Sequence, residues 1–201
     1  MRKLYTERKS LFIAGTTLLG VTVAVLDWLS KTFSLKVPFP LLIVLKFDVI
    51  GIPAVMAYLL FGPLSGVITC LVAFLSISFR DPTGFKGFMK CIAELATIMG
   101  AFLILRARSP PVLHKFKKIF AGFSSVVLRV VVMVVANVLL LPVFLSNFYT
   151  TETVIALLPV ICLFNAIQGT ISIAGGFLVY EAIMLRLPSL RAARDETKKI
   201  I

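Results

Sequence analysis

The chain has 201 residues, of which 59% are hydrophobic and 15% charged, and its mean hydropathy is +1.03. Soluble domains carry about 45–50% apolar and about 25% charged residues, so this composition excludes an ordinary soluble domain and points to a lipid-embedded chain. The net charge of +12 does not indicate a nucleic-acid binder. The lysines and arginines lie in clusters between apolar runs, where such clusters set topology and meet anionic lipid.

Taken in chain order, a basic start with Arg2, Lys3, Arg8 and Lys9 precedes an apolar run from Leu11 to Asp27 and Trp28. No small-x-small cleavage site follows, so this run reads as a retained first helix rather than a signal peptide. A connection from Leu29 to Asp48 comes next, interrupted by Lys31, Lys36, Pro38, Pro40 and Lys46. The remaining apolar runs complete a prediction of six spans, at about 11–28, 49–61, 63–79, 87–105, 119–145 and 154–185. They are divided by Phe61-Gly62-Pro63, by the turn Arg80 to Gly84, by the basic stretch Arg106 to Lys118, and by Thr150-Thr151-Glu152. The expected architecture is one all-α membrane domain over residues 1–201, a six-transmembrane-helix bundle with a charged tail from Arg186.

An even number of spans puts both termini on one side. That side collects fourteen basic residues, against six on the other (Lys31, Lys36, Lys46, Arg80, Lys86 and Lys90). The positive-inside rule then places both termini in the cytoplasm of a multi-pass cell-membrane protein.

Polar side chains inside spans are costly and usually face the bundle interior or a cavity. Asn165, Gln168 and Ser172 share one face of the sixth span, and Lys90, Glu94 and Thr97 share one face of the fourth. Glu94 falls about 10 Å below the outer end of its span, Asn137 about 12 Å and Asn165 about 16 Å. Interhelical hydrogen bonding alone would account for any one of them. Three helices presenting polar groups at similar depth favour a small-molecule pocket. Arg129 falls deeper and is expected to serve packing or a partner interface. Thr16, Gly20 and Ala24 recur every four residues, a stripe of small residues that admits a neighbouring helix, inside the bundle or from a partner.

Cys70, Cys91 and Cys162 lie in separate apolar segments without metal-ligand spacing, and His114, among lysines, reads as a loop residue. No metal site, catalytic residue or cofactor is expected. There is no G-x-x-x-x-G-K-[ST] loop, no H-E-x-x-H and no G-x-S-x-G, so driven transport would take its energy from a partner or an ion gradient.

The stretch Leu45-Lys46-Phe47-Asp48-Val49-Ile50-Gly51-Ile52-Pro53-Ala54, continuing to Leu60-Phe61-Gly62-Pro63-Leu64-Ser65-Gly66, resembles the S components of energy-coupling factor (ECF) vitamin transporters, and most of all their riboflavin-specific branch. Phe88 to Ala96 and Phe164 to Gly169 resemble that family's fourth and sixth helices, so the resemblance covers about residues 45 to 185. It implies an S component that captures its vitamin outside the cell and associates with a membrane T component and two cytoplasmic ATPases. The resemblance also implies ligand contacts from Asn137, Asn165 and Gln168, with the loop near Leu45 to Asp48 closing the site. Lys90, Glu94, Asp48 and Phe47 complete the candidate binding set, and Trp28 and Phe33 are further aromatic candidates. The Thr16, Gly20, Ala24 stripe would dock on the T component. The pyrimidine-like edge of riboflavin alternates acceptors and a donor, which an Asn amide matches. The riboflavin branch typically has a basic residue where this chain has Gln168, a departure that bears on which vitamin is taken. Folate, thiamine, pantothenate and a queuine precursor are the other candidates. Two different readings stand beside this one: a membrane scaffold of the cell-shape type without a vitamin ligand, and a lipid-metabolism enzyme, which the absence of paired Asp motifs disfavours.

Overall fold

In the computed structural model, which describes residues 2–81, 83–107, 116–146 and 149–187, the chain forms six helices and one hairpin. In order these are α1 (Arg2–Thr32), β1 (Val37–Phe39), β2 (Leu42–Phe47), α2 (Gly51–Phe61), α3 (Pro63–Ser78), α4 (Phe85–Arg106), α5 (Lys117–Phe144) and α6 (Thr151–Arg186). The helices agree with the apolar runs to within a few residues, except that α1 extends well beyond the first run at its N-terminal end. His114 and most of the charged tail lie outside the described residues.

Two expectations need correction. The chain is not wholly α-helical, because the segment read as a broken connection contains an antiparallel pair, with Val37 opposite Phe47 and Pro38 opposite Lys46. Val37, Phe39, Ile43, Val44 and Phe47 are strand formers. Pro38 is tolerated because a two-stranded ribbon consists only of edge strands.

The second correction concerns length. Four helices (from Lys9 in α1, and α4, α5 and α6) are long and apolar enough to cross a membrane, whereas α2 and α3 have only 11 and 16 residues. At 1.5 Å per residue, α2 rises about 16 Å and α3 about 24 Å, short of a hydrocarbon core of about 30 Å.

The packing explains why a short α2 suffices. α1, α3, α4, α5, α6 and α2 contact in that order around a ring that closes from α2 to α1, and α2 also meets α3 and α4. Seven residues of α2 are buried, including the unbroken run Pro53 to Tyr58. Helix α2 is therefore a core helix surrounded by protein, and its apolar sequence reflects burial in the bundle rather than contact with lipid. Ala54, Val55 and Tyr58 pack with Cys70, Cys91, Ile98, Ala101 and Ile173 from α3, α4 and α6. Gly62, with φ of +93° at the α2–α3 junction, has a backbone conformation that L side chains rarely adopt, and Pro63 then opens α3. Outward-facing residues such as Leu18, Phe123, Val131, Leu139 and Leu178 are exposed. They form the apolar surface that lipid covers.

Candidate functional site

Four charged side chains from two helices and a loop form one connected, largely buried network, and a third helix adds a hydroxyl. Lys90 Nζ donates to Asp48 Oδ1 at 2.7 Å and lies 3.0 Å from Glu94 Oε1. Arg129 Nη1 donates to the same Glu94 oxygen at 3.0 Å and to Thr97 Oγ1 at 3.1 Å. The Ser172 hydroxyl is 3.4 Å from Glu94 Oε1. Two acids balance two bases, which is what allows charge to persist away from water. Arg129 is thus part of this network and, at 2% exposure, is unavailable to a partner. Its length explains the difference from the sequence expectation: a guanidinium reaches well over a helical turn from its own Cα, toward α4. The first residue of α2, Gly51, lies directly against Glu94 and Ser172, where any Cβ would collide with both. Helix α2 therefore begins at the depth of Glu94, and the chain above it must come down from the hairpin.

Gln168 holds that descending segment. Its Oε1 accepts from the Asp48 N–H at 3.1 Å and its Nε2 donates to the Asp48 carbonyl at 2.8 Å. The Asp48 carboxylate also accepts from the Ile50 N–H at 3.2 Å, bracing the entry to α2. Gln168 thus bonds the backbone of the loop expected to close over a ligand, through one donor and one acceptor of its amide.

A second tie lies just above. Phe47 stacks on Phe164 with centroids 5.0 Å apart, and Phe39 meets Phe47 at 5.5 Å and Phe164 at 5.7 Å. Phe39 and Phe164 were not anticipated from the sequence, although Phe164 adjoins Asn165 and lies four residues before Gln168. Trp28 and Phe33 do not join the cluster. Both are exposed, and Trp28 instead lies under the Arg80 guanidinium at 5.4 Å.

Asp48, Lys90, Glu94 and Gln168 are thus brought together, and Phe47 reaches α6 at Phe164, the residue before Asn165. Asn165 and Asn137 are buried, but their amides donate within their own helices, to Ile161 O at 2.9 Å and Met133 O at 2.6 Å. Neither is hydrogen-bonded to the charged network.

The small-residue stripe turns inward. The Thr16 hydroxyl meets that of Ser65 at 2.8 Å, Gly20 faces Val72, and Ala24 is half-buried. Thr16 and Gly20 thus line a seam between α1 and α3, where short side chains let the two helices approach.

Sequence reading also missed Asp27, which it treated only as the end of a span. This carboxylate is fully buried and receives Lys36 Nζ at 3.1 Å, Ser76 Oγ at 3.1 Å and Arg80 Nη2. An acid at the end of an apolar run, with Lys36 nine residues on, was the available signal.

No family model matches the sequence, and no curated protein does. Its long apolar helices make the chain an integral membrane protein built as a six-helix bundle. Among solved structures, the S component of a bacterial ECF transporter is similar to it, with 22% identity and a TM-score of 0.65 over 89% of this chain and 98% of that one. The chain has the S-component fold.

Proposed function

We propose that this chain is the substrate-binding S component of an ECF transporter, that it captures riboflavin or a related vitamin from outside the cell, and that it hands uptake to a T component and two cytoplasmic ATPases. The observation that carries this reading is the fold, shared with an S component over nearly the full length of both chains. The scaffold reading has no comparable support.

The local geometry is in keeping with it. The hairpin lies on α6 through three aromatic rings and the Gln168 clip, directly beside Asn165. Parting those contacts would open the space above α2 and free aromatic faces for a planar ring. Asn165 and Asn137 would supply the amides that read its polar edge. Because Gln168 is engaged by Asp48, its role in this reading is to hold the closing loop.

Equilibrium dialysis of the purified protein tests the proposal. The expected result is nanomolar riboflavin affinity, or a yellow flavin that co-purifies, and loss of binding in Asn165→Ala. Failure to bind any vitamin would overturn the proposal. Unchanged affinity in the variant would remove Asn165 from the site while leaving the S-component reading intact.

A further inference from the structure

The opposite side of the hairpin faces a cavity of about 500 Å³ whose wall holds Lys31, Lys36, Lys46, Arg80 and Lys86, with Asp81 the one acid among them. These side chains come from the end of α1, both sides of the hairpin, the end of α3 and the start of α4, so positive charge converges from several directions. Asp27, beneath, already receives Lys36 and Arg80. Asp81 is engaged by the Lys86 N–H and the Thr83 hydroxyl. Five cations therefore face two carboxylates, in contrast to the balanced network around Glu94.

The donors are also under-used. Arg80 Nη2 is committed to Asp27, but its Nε and Nη1 are buried without an acceptor among the described residues. A buried donor left unmatched costs about 1–3 kcal/mol, more when charged, so such a group marks a place for an acceptor. Ser30 and Ser34 add hydroxyls to the wall. Burial holds the Lys36 ammonium below the ordinary lysine range, and a bound anion would offset that.

We propose that this cavity is a binding site for a phosphate-bearing ligand, either a lipid headgroup or a soluble phosphoester. Several tetrahedrally arranged oxygens suit donors arriving from different elements, whereas a single planar carboxylate would reach few of them. The volume lies within the range of small-molecule sites and exceeds what a bare ion needs. The site is separate from the proposed vitamin site: Val44 and Lys46 face this cavity, whereas Phe39 and Phe47 pack on α6.

Trp28 is the only tryptophan and lies against Arg80, so its fluorescence reports on the cavity. The full chain in neutral detergent at constant ionic strength would be titrated with inorganic phosphate, glycerol 3-phosphate, dioctanoyl phosphatidylglycerol and, as control, acetate. A saturating change with either soluble phosphate assigns a soluble ligand, and saturation with the lipid alone assigns a headgroup. In the double variant Lys31→Glu and Lys86→Glu the half-saturation point is expected to rise about tenfold or more. Both residues lie outside the Asp27 cluster, and an unchanged melting temperature would verify the fold. A linear or absent response to all three phosphates, a response equal to that of acetate, or insensitivity to charge reversal would overturn the proposal.

Discussion

Glu94 shows how a charge survives within an apolar bundle. It has Lys90 on its own helix, Arg129 on α5 and the Ser172 hydroxyl on α6, all directed at one oxygen. Removing one member of a buried pair strands the other, typically at about 3–5 kcal/mol, while removing both is much milder. Arg129→Met and Glu94→Gln should therefore each lower thermal stability in detergent by roughly that amount, and the double variant should recover part of the loss, a non-additivity that a double-mutant cycle measures. Asp81 offers a pH test outside the spans. Burial opposes its ionisation, but the Lys86 N–H, the Thr83 hydroxyl and the Lys86 charge outweigh burial and hold the carboxyl below its ordinary 3.8. A depressed folded-state pKa contributes stability that is present above the unfolded value and lost as pH falls through the folded one. Asp81→Ala should cost about 1 kcal/mol at neutral pH, the usual contribution of a hydrogen bond. The gap between wild type and variant should close on acidification below about pH 4, as followed by melting temperature.

At the scale of elements, the hairpin and α6 are joined by few contacts relative to the helix–helix seams: one aromatic trio and one glutamine. Each ring pair contributes about 0.5–1.5 kcal/mol beyond its burial, and each ordinary hydrogen bond about as much. That is enough to hold the hairpin down. Gln168→Leu removes both bonds and leaves the Asp48 N–H and carbonyl unmatched. Amide hydrogen exchange at Asp48 and in β2 should then accelerate by about tenfold or more, while exchange in the α4–α5 seam stays as in wild type. Equal exchange at Asp48 in both proteins would show that the clip does not hold the loop.

For the whole molecule, four membrane-length helices and the shorter α3 pack around α2, which is largely enclosed, while α3 keeps an outward apolar face with Leu64, Leu71 and Leu75. This arrangement lets the irregular entry to α2 have backbone groups of Asp48 and Ile50 matched by side chains, while Val49 between them faces outward. The distribution of basic residues predicts cytoplasmic termini. Single-cysteine labelling in intact cells, on a background with Cys70, Cys91 and Cys162 replaced, should protect cysteines at positions 5 and 195 from an impermeant reagent and expose one at position 83. The reverse pattern would invert the topology.

Composition and the spacing of apolar runs were sufficient to read a membrane protein with six helices at these positions, because burial in lipid or in a core demands long apolar stretches in the chain itself. The polar faces of α4 and α6 were legible for the same reason, as exceptions within those stretches. What each exception meets was decided only by the tertiary structure, since partners such as Asp48 and Gln168, or Glu94 and Arg129, lie 120 and 35 residues apart. The hairpin was hidden because its strands are short, one carries Pro38, and Pro40 lies in the turn between them. The inward turn of the Thr16, Gly20, Ala24 stripe was hidden because small residues suit a seam inside the bundle and a partner surface equally well. Rotation of α1 about its own axis separates those two cases, and that rotation is set by the packing of α1 against α3.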